Sequence, residues 1–134
     1  CYAYSRKKHL HRKVQIGEGL VGQAYVEKDK IYMTDIPEDY IQITSGTGGA
    51  LPRAVLIFPL VVNEKIYGVI EIASFKELEA YQIDFALKIG ESIASTLSSA
   101  KVNDITRKLL AEAKLREEEL KSQEEEMRQN MEEL

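Results

Sequence analysis

The chain has 134 residues, 44% of them hydrophobic and 30% charged, which is enough for one folded domain. Its formal net charge of −4 at pH 7 argues against nucleic acid and anionic membranes as partners, and its single cysteine, Cys1, excludes an internal disulfide. The rarity of cysteine fits a reducing compartment, and no secretory signal or membrane-spanning apolar run is found. We therefore expect a soluble, cytoplasmic protein without membrane insertion.

The N-terminal part contains signals for short elements around a glycine-rich turn. Residues 1–5 are typical of the end of a strand, and after a basic turn residues 13–16 predict a short strand. Apolar spacing predicts a short helix at 20–27, and a β-branched and aromatic run predicts a strand at 31–34. Segment 38–52 is rich in Gly, Ser and Thr near its end and is predicted to be a long loop, of the kind that often forms a binding loop or lid.

Two strong strand signals and one long helix follow. Residues 53–62 and 66–75 are apolar on both alternating faces, and the short connection between them predicts an antiparallel hairpin. Pro59 cannot donate a ladder hydrogen bond, so an irregularity is expected there. From Ala80 to Leu134 only Gly90 opposes a continuous helix, which would be roughly 80 Å long.

The first part of this helix carries two apolar stripes about 120° apart. One stripe is expected to pack against the sheet, and the other then needs a different partner. The first stripe holds Ile83, Leu87, Gly90, Ala94 and Leu97, and the second holds Phe85, Ile89, Ile93 and Ala100.

Residues 101–134 differ from the rest of the chain, because half of them are charged and none is Gly or Pro. We assign residues 1–100 to a folded domain and 101–134 to a signalling helix. Apolar residues recur seven positions apart on one face, which predicts a left-handed coiled coil in a homodimer, although the alternate core positions are polar. A lone helix stabilised by pairs such as Glu117–Lys121 is the alternative. The predicted interface residues are Leu97, Val102, Ile105, Leu109, Ala113, Leu120, Met127 and Leu134.

The motif Gly17-Glu-Gly19-Leu-Val-Gly22 has the G-x-G-x-x-G spacing of a dinucleotide-binding turn. That turn belongs to a parallel βαβ unit, whereas the helix here has room for two turns and the clearest strands form an antiparallel hairpin. This context favours a structural role, in which Gly17 and Gly19 turn the chain and Gly22 lets the short helix pack closely.

Residues 14–37 resemble the core signature of GAF domains, with I-G-x-G-L-x-G, a short helix, a strand and Asp-Ile-Pro. Residues 58–74 resemble the family's second signature, a hairpin from P-L to G-V-I-E-L. The resemblance covers about residues 1–101 and implies an α+β fold: an antiparallel sheet of about six strands flanked by helices. It also implies a long C-terminal helix extending into a coiled coil, and a ligand pocket under the short helix and the long loop. Because the family normally starts with a helix and a central strand, we expect this chain to lack both and to begin in the second strand. The missing strand is then either truncated or supplied by a partner or another segment.

The resemblance further implies a non-catalytic sensory or relay domain of a bacterial signalling protein, such as a sensor histidine kinase of a two-component system. Such a domain binds a small molecule or relays a signal through its dimeric helix, and it requires no cofactor. Relatives that reduce methionine sulfoxide, attach bilins or bind cyclic nucleotides use cysteines or a signature that this sequence lacks. A ligand-free structural dimerisation module is the alternative.

Two sets of candidate site residues remain. His9 and His11 have the spacing of two metal ligands on one strand face, but they lack a neighbouring cysteine or carboxylate, which favours surface histidines and no metal site. The pocket candidates combine apolar and polar side chains, and ordinary packing is the alternative role for each. They are Tyr25, Tyr32, Tyr40, Ile43, Thr44, Ser45, Arg53, Phe58 and Glu71.

Overall fold

The computed structural model describes residues 2–3, 8–9, 13–45 and 47–134. The chain divides into two compact units, a first unit of Cys1–Ser95 and a second unit of Thr96–Leu134. In chain order the elements are β1 (Tyr2–Ala3), β2 (Lys8–His9), α1 (Gly19–Glu27), β3 (Ile31–Met33), β4 (Ile43–Ser45), β5 (Gly48–Ala50), β6 (Ala54–Val62), β7 (Lys65–Ser74) and α2 (Ala80–Glu133).

The strands of the first unit are antiparallel throughout the described residues. Strands β3, β6 and β7 form a sheet in that order, while β1–β2 and β4–β5 form separate two-stranded ladders. The predicted α+β class, an antiparallel sheet with helices and a long C-terminal helix, is confirmed. In the described part of the chain the main sheet has three strands, fewer than the resemblance implied.

The β6–β7 hairpin forms as its apolar pattern predicts. Its turn consists of Asn63 and Glu64, which both have positive φ, 49° and 65°. Two consecutive residues with positive φ form a two-residue turn whose twist matches that of the flanking strands. The connection is therefore Asn63 and Glu64, one residue shorter than the predicted connection of residues 63–65. Pro59 is itself in register with Val69, and the register shifts one residue further on, between Leu60 and Val61. The irregularity expected at the proline therefore lies next to it.

Strand β6 provides the centre of the core, because its side chains are buried on both faces. Leu56, Phe58 and Leu60 form one cluster with Ala94 of α2. Side chains on the other face form a second cluster, in which Val55 and Ile57 pack against Ala24 of α1. The sheet of the first unit therefore has α2 on one face and α1 on the other.

Helix α2 lies close to the sheet at Gly90. A Cβ atom at this position would lie 2.6 Å from Cε2 of Phe58, so the approach requires glycine. Ile83, Leu87 and Ala94 of the same stripe also pack against this side of the sheet, as predicted. The second stripe is exposed, with 65% of the Phe85 surface accessible to solvent.

Two local predictions are wrong. Residues 13–16 do not form a strand, because the backbone there closes a turn: Glu18 N donates to Gln15 O (3.0 Å), and Gln15 N donates to the Glu18 carboxylate (2.8 Å). Segment 38–52 is not a plain loop either, since it contains the β4–β5 ladder. In this ladder Ile43 is paired with Ala50. The β-branched Ile43 and Thr44 favour this extended conformation.

The second unit is helical to Glu133, and its side chains are almost all exposed. Its surface carries ion pairs one turn apart, Glu117–Lys121 at 2.8 Å and Arg128 with Glu125 and Glu132 at 3.5 and 3.4 Å. Within the part of the chain that the structure describes, no helix is both long and apolar enough to cross a membrane.

Candidate functional site

A cavity of about 360 Å³ lies on the α1 side of the sheet in the first unit. This volume is at the lower end of the range of small-molecule pockets, about 300–1,000 Å³. The cavity is bounded by the start of α1, by residues 40–41 after β3, and by β7. Its lining residues are Val14, Glu18, Gly19, Leu20, Val21, Tyr40, Ile41 and Glu71.

The glycine motif positions the start of α1 at this cavity. Gly17 and Gly19 have φ values of +81° and +63°, a conformation that residues with a side chain rarely adopt. A Cβ atom on Gly22 would lie 2.8 Å from the carbonyl carbon of Gly17 and 2.9 Å from the oxygen of Gln15. Helix α1 therefore packs directly on the backbone of the turn before it, which supports the structural role predicted for these glycines.

Tyr40 and Glu71 connect the two sides of the cavity. The Tyr40 hydroxyl donates a hydrogen bond of 3.0 Å to Oε2 of Glu71, and both side chains are half-buried. The backbone N–H of Tyr40 also donates to the carbonyl of Pro37 (3.1 Å), which fixes the turn that carries it. Glu71 lies on the same face of β7 as Val69 and Ala73, which belong to the α1-side cluster. This bond attaches the segment after β3 to the sheet.

The polar groups that line the cavity are mainly acidic. Glu18 and Glu71 contribute carboxylates and Tyr40 contributes a hydroxyl, whereas Leu20, Val21 and neighbouring residues give apolar walls. Among the described residues that line it, none is basic. The arrangement can hold a small molecule that has an apolar body and a group able to donate hydrogen bonds.

Residues 1–100 match the sequence profile of the GAF domain. The chain belongs to the GAF domain family. The resemblance drawn from its two signatures is thereby confirmed. GAF domains are sensory and regulatory domains that bind small molecules, often dimerise and are typically non-catalytic. No curated protein and no solved structure matches the chain.

Of the predicted pocket residues of this GAF domain, Tyr40 and Glu71 line the cavity together. Tyr25 lies on α1 with 37% of its surface exposed, outside the lining. Arg53 is exposed between β5 and β6, and its backbone N–H donates to Ser74 O (2.8 Å). Strand β4 contains Ile43, Thr44 and Ser45, and the side chain of Ser45 lies outside the described residues.

Tyr32 and Phe58 lie on the opposite face of the sheet from the cavity. The Tyr32 hydroxyl donates to the carbonyl of Leu78 (3.2 Å) and accepts from the Leu78 N–H (2.8 Å). Phe58 is 2% exposed and packs in the cluster on the α2 side. Tyr32 therefore connects the sheet to the segment just before α2, and Phe58 connects it to α2 near Gly90.

Sequence reasoning did not select the lining residues from the glycine motif, Glu18, Gly19, Leu20 and Val21. The available signal was their place at the start of the short helix, or directly before it, because the resemblance put the pocket under that helix. His11 and the side chain of His9 lie outside the described residues. In the part of this GAF domain that the structure describes, no group of three or more His, Cys, Asp or Glu side chains is placed to hold a metal ion.

Proposed function

We propose that this GAF domain is the non-catalytic sensory domain of a cytoplasmic bacterial signalling protein. It binds a small molecule in the cavity between α1 and β7, and it relays the signal through α2 in a homodimer. The downstream output is a catalytic part such as a histidine kinase of a two-component system. The observation that carries this proposal is the Tyr40–Glu71 hydrogen bond, which joins the segment after β3 to the sheet across the cavity.

The segment 38–52 is suited to act as a lid. Its Tyr40 and Ile41 line the cavity, and the rest of the segment includes the small β4–β5 ladder. The described side chains from Ile43 to Leu51 are half-buried or exposed, so few packing contacts hold them in place. A ligand that contacts Tyr40 or Glu71 changes the bond by which this segment is attached to the sheet, and a segment of low local stability responds to such a change.

The sheet provides the route from the cavity to α2. The α1-side cluster and the α2-side cluster both pack on β6, through alternate residues of one strand. Tyr32 adds a direct link, because its hydroxyl is bonded to both backbone groups of Leu78, two residues before α2 begins. A shift of β3 or β6 on the cavity side is therefore passed to the start of α2. Within the first unit, this gives a physical basis for the proposed relay.

Homodimerisation is proposed from the apolar residues of the second unit. Leu109, Leu120 and Met127 are about 60% exposed in the single chain, at 60%, 56% and 61%. A second helix in a coiled coil would cover them. The core positions Arg116, Gln123 and Asn130 make the seam weak, so two packing arrangements would differ little in energy. Such a seam is suited to carry a signal.

Hydrogen exchange tests the sensory part of the proposal. Amides of residues 38–52 are measured in the purified domain with and without a bacterial metabolite extract. We expect the extract to slow exchange in the wild type, and to do so less in Tyr40→Ala, which loses both the ring and the bond to Glu71. Exchange that no extract alters, in either protein, supports the ligand-free structural dimerisation module instead.

Light scattering tests the dimer. Leu120→Lys places a charge on the predicted seam and should give a monomer. Leu115→Lys is the matched control, because Leu115 is also an exposed leucine, at 61%, but lies on another face of the helix. It should leave the dimer intact. A wild type that stays monomeric across the accessible concentration range rules out the proposed coiled coil.

A further inference from the structure

The cavity between α1 and β7 has an uneven charge distribution. Its described lining includes two carboxylates, Glu18 and Glu71, and no lysine, arginine or histidine. An anionic ligand in the cavity would be repelled by both carboxylates. Such repulsion lowers the affinity for anions, and it contributes to specificity as much as attraction for a cation does. The charges therefore favour a cation.

Glu71 is the carboxylate best placed to meet that cation. It is half-buried, and its Oε2 accepts the hydrogen bond from Tyr40 (3.0 Å). A phenol hydroxyl satisfies one acceptor site but does not neutralise the charge, and a carboxylate has about four such sites. Among the described residues no lysine or arginine forms an ion pair with Glu71. Within the described part of the chain, its negative charge is therefore not neutralised by an ion pair.

Glu18 has a different role. One of its carboxylate oxygens, Oε2, accepts the Gln15 N–H (2.8 Å), which closes the turn before α1. It also precedes the first residue of α1, where the helix dipole favours a negative charge. Glu18 is exposed, whereas Glu71 is half-buried, so Glu18 adds to the negative potential and Glu71 is the direct partner.

From this distribution of charge we propose that the cavity selects a small organic cation, an ammonium group on an apolar body, with Glu71 as its counter-charge and Leu20, Val21 and Ile41 around the apolar part. Tyr40 is a positioning residue, because its hydroxyl orients the Glu71 carboxylate. A charge-assisted hydrogen bond between ammonium and carboxylate is stronger than a neutral one, and partial burial strengthens it further. This inference rests on the proposed function, since it names the class of ligand for the same cavity.

The test compares three probes of similar size that differ in charge: 2-phenylethylamine, 2-phenylethanol and 3-phenylpropionate. Each is titrated into the isotope-labelled full chain while the amide signals of Leu20, Ile41 and Glu71 are followed by NMR. We expect saturable shifts at these amides with the amine, and affinity at least about tenfold lower for the carboxylate. Tyr40→Phe should retain the preference for the amine, because it keeps the charge of Glu71.

Two variants locate the effect. Glu71→Gln should remove most of the preference for the amine over the alcohol. Glu91→Gln makes the same chemical change on α2, on the other side of the sheet, and should leave the preference unaltered. If Glu71→Gln does not fold, titrations of the wild type at low and high salt test the inference instead. Added salt must weaken binding of the amine at these amides and must not weaken binding of the alcohol.

The outcomes separate this inference from the proposed function. Equal or tighter binding of the carboxylate at the same amides overturns the inference while leaving a ligand-binding cavity. A preference for the amine that survives in Glu71→Gln, or binding that salt does not weaken, also overturns it. If no probe gives saturable shifts at these amides the inference fails, and hydrogen exchange with metabolite extract then decides the proposed function separately.

Discussion

The two units of this chain differ in how far they bury their apolar side chains. In the first unit Leu56 is completely buried between β6 and α2, whereas in the second unit Leu120 is 56% exposed. The first unit packs its core with its own residues, from strands and helices distant in sequence. The second unit is a helix held by local interactions such as the Glu117–Lys121 pair, with apolar residues that its own fold does not cover. An isolated helix gains little stability from local interactions alone, so the second unit has fewer stabilising contacts of its own than the first.

Truncating one leucine in each unit tests this contrast most strongly. Leu56→Ala should lower the free energy of unfolding by about 2–5 kcal/mol, because it leaves a cavity in a buried cluster. Leu120→Ala should change the unfolding of the first unit by less than about 0.5 kcal/mol, as exposed substitutions do. Thermal and urea unfolding followed by circular dichroism measure both. Equal losses would mean that the two units do not differ as described.

Alanine in place of glycine should destabilise the first unit, and glycine in place of alanine should destabilise the second. Gly22→Ala should destabilise the first unit by about 1–3 kcal/mol, although alanine favours helix, because the added Cβ meets backbone atoms at 2.8–2.9 Å. Gly68→Ala, whose Cβ would lie 3.5 Å from Leu60 Cδ1, is the tolerated control. In the second unit Ala113→Gly should reduce helicity, at a cost of about 1 kcal/mol. A stabilising Gly22→Ala would show that α1 does not pack on its preceding turn.

Removing one hydroxyl tests the link between β3 and the start of α2. Tyr32→Phe leaves both backbone groups of Leu78 without this partner and should cost about 1 kcal/mol of stability. Tyr25→Phe is the matched control on the exposed side of α1, and we expect no measurable change. A Tyr32→Phe melting temperature equal to that of the wild type would remove this link from the proposed relay.

The smallest effect is expected for an ion pair of the second unit. Glu117→Gln removes the partner of Lys121 and should reduce helix stability by about 0.3–0.5 kcal/mol, an effect that salt screens. Glu118→Gln is the control, because among the described residues Glu118 forms no ion pair. Circular dichroism of the full chain at low and high salt measures the difference. A large loss that salt leaves unchanged would show that Glu117 contributes more than a surface pair.

Part of the candidate site was predictable from sequence. Tyr40 and Glu71 were among the predicted pocket residues, and the structure places both at the cavity. Tyr32 and Phe58 were predicted with them, yet they lie on the other face of the sheet. Side-chain type did not distinguish Tyr32 from Tyr40, because the difference depends on the face of the strand and on hydrogen-bond partners far away in the chain.

The sequence alone determined the elements that depend on local pattern. Alternating apolar residues specified the β6–β7 hairpin, helical spacing specified α1 and α2, and two motifs identified the GAF domain family. These signals are local because strand and helix periods are set by backbone geometry. Only the tertiary structure decided that residues 13–16 turn instead of forming a strand, that β4 and β5 pair, and that Tyr40 bonds to Glu71. Each of these outcomes depends on which donors and acceptors pair with one another. Several partners are possible in the sequence, and the choice is made only when segments distant in the chain come together.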